Sequence, residues 1–162
     1  KEPSQADLIR KKLMSIRMRL YATPEYIAEH GEPLTIEDIS QHRLICQNPR
    51  AAQVSAGMTL VQQLLTQDIR STLTVNNYFG VLQSVLSGLG IGVLPDYIIE
   101  DFPSVRRVIP DLESSEVPVF LAFPEELRQS KRIAAFRDFV QEEIFAHHQT
   151  RKALEVGRAD KV

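Results

Sequence analysis

The chain has 162 residues, 43% of them hydrophobic and 25% charged, and 19 Lys and Arg set against 21 Asp and Glu leave a formal net charge of −2. That length and apolar fraction suffice for a buried core in one domain or two small lobes. The near-neutral balance offers no basic stripe for nucleic acid, and no apolar run reaches the roughly 20 residues that cross a bilayer. The single cysteine, Cys46, excludes an intrachain disulfide and favours a reducing compartment.

In chain order, residues 16–23 read as a strand and residues 24–29 as a short helix with Pro24 at an early position. Residues 43–47 form a second strand. Residues 57–66 carry Met58, Leu60, Val61, Leu64 and Leu65 and fit either a helix or an irregular segment. Residues 71–75 alternate as a strand. Asn76 or Asn77 then stands where it can cap a helix whose apolar face is Tyr78, Val81, Leu82, Val85, Leu86 and Leu89. Gly88 falls where a left-handed residue ends such a helix, and residues 91–94 are wholly apolar, as a strand buried on both faces would be. Residues 74–95 therefore describe a βαβ unit. Residues 95–101 follow as a short helix, with residues 105–109 and 117–123 as strands. The last helix starts at a Ser130 cap and shows one apolar stripe of Ile133, Phe136, Val140 and Ile144. Past Ala146 the pattern dissolves into a polar tail, expected to be frayed or disordered. The alternation implies an α/β fold whose sheet is largely parallel and covered on both faces.

Catalytic signatures are absent from the sequence. Gly88, Gly90 and Gly92 are spaced G-x-G-x-G and close a helix before a strand, whereas a dinucleotide fingerprint follows a strand and opens a helix, so they are structural. No G-x-S-x-G, H-E-x-x-H or P-loop pattern occurs, which supports neither an enzyme nor a bound cofactor. His147 and His148 lack further ligands for a metal, and Arg10, Lys11 and Lys12 read as a solvated face. The opening Lys1-Glu-Pro-Ser lacks the apolar core of a secretory signal, and the chain reads as beginning within a domain.

The segment Thr74-Val-Asn-Asn-Tyr-Phe-Gly-Val-Leu-Gln-Ser-Val-Leu-Ser-Gly-Leu-Gly-Ile-Gly-Val-Leu-Pro95 resembles the effector-binding domain of LysR-type transcriptional regulators. Three further pieces match in order: Leu20-Tyr-Ala-Thr-Pro-Glu-Tyr-Ile27 with His30-Gly-Glu-Pro33, Ile39-Ser-Gln-His-Arg-Leu-Ile45, and Pro118-Val-Phe-Leu-Ala-Phe-Pro124 with its following helix. Together they cover about residues 7–145. The resemblance implies a periplasmic-binding-protein-like (type 2) fold, represented by the second lobe plus the returning strand and helix of the first. Residues 1–23 would be the end of the first-lobe pass and the crossover strand, 24–112 the second lobe, 113–146 the return into the first lobe, and 147–162 the tail. Much of the first lobe, the winged helix-turn-helix and its linker helix would lie outside these residues.

The same resemblance implies a cytoplasmic, oligomeric, non-enzymatic domain that binds a small-molecule effector in an interlobe cleft, with DNA contacted only through the winged helix-turn-helix. Gln47, Asn48 and Pro49 at one strand end, and Asn76, Asn77 and Tyr78 at another, are the implied effector-binding residues. A helix N-terminus flanked by amides suits a carboxylate. Each also has a plainer role open to it, since Asn and Pro are ordinary turn residues and a cap alone would account for either Asn. Two other readings stay open: the lobe of an extracytoplasmic solute receptor serving a transporter, and a redox sensor working through Cys46.

Overall fold

The structure, a computed structural model, describes residues 8–48, 55–69 and 71–159. Its elements run β1 (Leu8–Ile16), β2 (Met18–Ala22), α1 (Pro24–His30), β3 (Arg43–Gln47), α2 (Ser55–Leu65), β4 (Ser71–Val75), α3 (Tyr78–Leu86), β5 (Ile91–Pro95), β6 (Arg106–Glu113), β7 (Val117–Pro124) and α4 (Lys131–Ala159). Short 3-10 helices occupy Glu37–Gln41, Asp96–Asp101 and Glu125–Leu127. Two compact units result: residues 16–117, and residues 1–15 with 118–162.

The larger unit is a five-stranded sheet in the order β4-β3-β5-β2-β6. The period-2 alternation of its strands sends successive side chains to opposite faces. Leu44 and Cys46 of β3 join Leu20, Ile91 and Val93 in one buried cluster with Tyr26 of α1 and Leu60, Val61 and Leu64 of α2. Ile45, between them in sequence, joins Tyr21 and Leu94 in the other cluster with Val81, Leu82 and Val85 of α3. Each such side chain, removed from water, contributes roughly 1.5–3 kcal/mol. Residues 57–66, open between helix and irregular segment, thus belong to α2, whose apolar positions 60, 61 and 64 share one face.

Pairing is parallel for β3 with β4 and with β5, as βαβ crossovers require. It is antiparallel for β2 with both β5 and β6. The sheet is therefore mixed, where a largely parallel one was expected: β2 lies between β5 and β6 and runs against both, and α1 leads from it to β3, which is not its neighbour. In β6 the register slips, so that Arg19 faces Glu113 while Leu20 faces Val108. Ile109, within the slip and ahead of Pro110, has φ 48°, an unusual value for a β-branched residue. The slip brings the Glu113 carboxylate to Arg19 Nε at 3.0 Å, Arg17 Nη1 at 2.9 Å and Arg107 Nη2 at 3.1 Å.

The βαβ reading of residues 74–95 matches β4–α3–β5. Asn77 holds the N-cap with φ −151° and ψ 163°, and Gly88 takes φ 69° just past the C-terminus, a backbone region that disfavours a side chain. Leu89, expected on the apolar face, lies beyond the helix and is exposed.

The smaller unit holds the β1–β7 pair and α4. β1 was not foreseen as a strand of its own; its Arg10, Lys11 and Lys12 are exposed, and Lys11 Nζ donates to Gln141 Oε1 of α4 at 3.1 Å. Phe120 of β7 and Phe136, Phe139 and Phe145 of α4 are exposed. The tail expected to fray beyond Ala146 is instead helical to Ala159. Residues 147–159 are rich in Ala, Leu, Arg, Lys and Glu, which favour helix without needing an apolar stripe, so the loss of that stripe did not mark an end.

Candidate functional site

β3 and β4 lie side by side and in parallel, with Gln47 opposite Val75, so both chains leave the sheet at the same level. Their C-terminal ends therefore bring together the two groups of residues singled out in the sequence. The Asn48 N–H donates to the Val75 carbonyl at 2.8 Å and extends the ladder by one rung. Gln47 Nε2 donates to the Asn76 carbonyl at 2.9 Å, joining residues 29 positions apart. Pro49 lies outside the described residues.

α3 opens two residues after β4. Asn77 Oδ1 accepts the Gly80 N–H at 2.8 Å, and the Asn77 carbonyl accepts from Val81 N at 3.3 Å. Its oxygen is thus engaged as a cap, and the amide NH2 is what it can offer a ligand. Gln47 is the converse: its NH2 is committed to Asn76, and Oε1 is the atom it can offer. The first N–H groups of α3 have no intrahelical acceptor, and the helix dipole favours negative charge there. Asn76 and Asn77 are exposed, whereas Gln47, Asn48 and Tyr78 are half-buried. Burial, then the neighbouring Tyr97, pushes the Tyr78 hydroxyl above its usual pKa and keeps it protonated at neutral pH. One residue escaped sequence reasoning. Phe79 follows Tyr78 and is 69% exposed, an apolar ring on the side of α3 turned from the core. Its only signal is that it breaks the 78, 81, 82, 85 spacing.

Cys46 points the other way. It is fully buried in β3, and desolvation pushes its thiol up from the ordinary value. A redox-sensing cysteine needs an accessible, low-pKa thiolate, so this geometry opposes the reading of Cys46 as a sensor. Among the described residues there is no group of three or more His, Cys, Asp or Glu poised for a metal ion, and no helix is long and apolar enough to cross a membrane.

Open α/β sheets bind ligands at the C-terminal ends of their parallel strands, and it is there that this unit carries Gln47, Asn48, Asn76 and Asn77. The family model described as LysR substrate binding domain matches residues 1–144, and the chain belongs to that family. The HTH-type transcriptional regulator CrgA of Neisseria meningitidis is 25% identical over 147 residues, covering 88% of this chain and 49% of the relative. The HTH-type regulator YhjC of Escherichia coli is 24% identical over 138 residues, covering 82% and 46%. The chain thus spans about half the length of the curated relatives it matches. Among solved structures, the CrgA regulatory domain superposes with a TM-score of 0.71 at 20% identity, covering 89% of this chain and 72% of that one. The regulatory domain of AphB from Vibrio vulnificus superposes at 0.62 and 23%, covering 85% and 69%. These likenesses establish the type 2 periplasmic-binding-protein-like fold expected from the sequence.

Proposed function

We propose that this chain is the effector-sensing part of a LysR-type transcriptional regulator and that it binds a small carboxylate at the edge formed by Gln47, Asn48, Asn76, Asn77 and Tyr78. It is non-enzymatic and cytoplasmic, and in the intact protein it contributes to oligomerisation while a winged helix-turn-helix contacts DNA. The observation that carries the reading is the Gln47–Asn76 bond beside the capped start of α3, which sets an amide acceptor, an amide donor and free helix N–H groups around one small surface. The family match favours a regulator over an extracytoplasmic solute receptor. An effector acts by its differential affinity for two conformations of the regulator and shifts their populations by no more than that difference.

The test is made in an intact regulator carrying this domain. Gln47→Ala and Asn77→Ser should abolish the transcriptional response to effector and leave operator binding in place. An unchanged response in both variants would move the site elsewhere.

A further inference from the structure

Away from the amide edge, Tyr26 stands between two histidines. Its ring stacks on His30 with centroids 4.4 Å apart and planes 12° from parallel, and it meets His42 at 5.8 Å with a 51° tilt. Tyr26 and His42 are 4% and 6% exposed. The Tyr26 hydroxyl lies 3.2 Å from His42 Nδ1 and accepts the Arg43 backbone N–H at 3.2 Å. One hydroxyl thereby ties α1 to the first residues of β3. A depression of about 220 Å³, bordered by His30, Gln41, Arg43 and Leu89, reaches this cluster from the surface and gives protons a route in.

The hydroxyl oxygen receives the Arg43 N–H, and in the neutral His42 tautomer protonated on Nε2 the hydroxyl's own proton has Nδ1 as its acceptor, so oxygen and hydrogen are both satisfied. His30 Nδ1 sits 3.3 Å from the Tyr26 carbonyl, which can only accept, so His30 carries its proton on Nδ1. If His42 takes up a second proton, Nδ1 becomes a donor. The Tyr26 hydroxyl hydrogen then loses its acceptor inside a buried site, which is unfavourable. The charged groups around His42 are His30 on α1, Asp38 on the 3-10 helix and Arg43 on β3. Asp38 is held by the Thr35 and Leu34 N–H groups and favours the charged imidazole, but burial first and His30 second outweigh it and hold the His42 pKa below the ordinary value.

We infer that Tyr26 and His42 form a proton-sensitive latch between α1 and the start of β3, closed with neutral His42 and released on its protonation. Release disturbs the bond that the Tyr26 hydroxyl accepts from the Arg43 N–H, at one end of the strand whose other end carries Gln47.

Histidine ring C–H and backbone amide resonances followed from pH 8 to 5 test this on the whole chain. The latch requires His42 to titrate below the ordinary imidazole value of 6.5, with the Arg43 amide shifting along the His42 curve. In Tyr26→Phe the His42 midpoint should rise and the Arg43 amide should stop following it. In His42→Gln, which keeps an acceptor for the hydroxyl and cannot titrate, the acid-induced Arg43 shift should vanish. The inference fails if the Arg43 amide ignores His42, if its shift persists in His42→Gln, or if the wild-type chain unfolds before His42 titrates.

Discussion

Gln47 Nε2 and the Asn76 carbonyl are 2.9 Å apart although 29 residues separate them, and this bond fixes the side chain that follows β3 against the turn that leads into α3. It works because β3 and β4 are parallel and end level, at Gln47 and Val75. A carbonyl in that turn would otherwise face water alone. Held this way, Gln47 presents its Oε1 with little rotamer freedom left to lose on binding, which favours a ligand with a donor.

Asn77 has two separable roles, and two substitutions divide them. Asn77→Ala removes the cap to Gly80 and should cost about 1 kcal/mol in urea unfolding, whereas Asn77→Ser keeps a capping oxygen and should be near neutral. Both should lose effector affinity if the amide NH2 binds ligand. A full response in Asn77→Ser would reduce Asn77 to a helix cap.

Gly92 lies in β5 under α3, where an added Cβ would collide with the Cγ2 methyl of Val85 and come within 3.1 Å of Val81 Cγ1. Gly92→Ala should therefore overpack the α3 face of the sheet and destabilise by about 1–3 kcal/mol. A thermal melt unchanged from wild type would mean that α3 sits further from the sheet than described.

Glu113 gathers Arg17, Arg19 and Arg107, with Arg17 also 3.4 Å from Glu116. Partial desolvation pushes its carboxyl up, but Arg19, Arg17 and Arg107 together hold it below its ordinary 4.5. A folded pKa below the unfolded one means stability that is present above about 4.5 and is lost as the pH falls from there toward the folded value. Because Glu113 is 29% exposed and screened, Glu113→Gln should cost about 1 kcal/mol at pH 7. The gap between variant and wild type should narrow in chemical denaturation as the pH falls below about 4.5. A gap that stays constant with pH would remove Glu113 from the linkage.

Local spacing made the β4–α3–β5 unit legible, because Val81, Leu82 and Val85 repeat at helical intervals and Gly88 marks the stop. Where partners are distant in sequence, the pattern was silent. The antiparallel pairing of β2 with β5 is set by tertiary contact, and β1 is one strand of a two-stranded pair with β7, where its exposed Arg10, Lys11 and Lys12 hide any alternation. Both amide groups of the site could be read as strand-end residues. Choosing Asn77 over Asn76 as the cap depends on backbone angles, and the Gln47–Asn76 bond on strand register, neither of which a linear pattern carries.

Cys46 should be inert. A thiol reagent such as Ellman's should leave it unmodified in the native chain and react stoichiometrically in guanidinium, since the sulfur is fully buried and its pKa raised. Rapid native-state labelling, or a sulfenic acid after mild peroxide, would revive the redox reading.

The most direct test of the central claim is a backbone-amide titration of the chain with small carboxylates that also carry a hydroxyl donor, using malate and 4-hydroxybenzoate as probes. Saturable shifts concentrated at residues 47–48 and 76–80, with Phe79 moving most for the aromatic acid, are the predicted result. Saturable binding that leaves these residues unmoved, or that shifts only the Tyr26–His42 region, would contradict the assignment of the amide edge as the effector site.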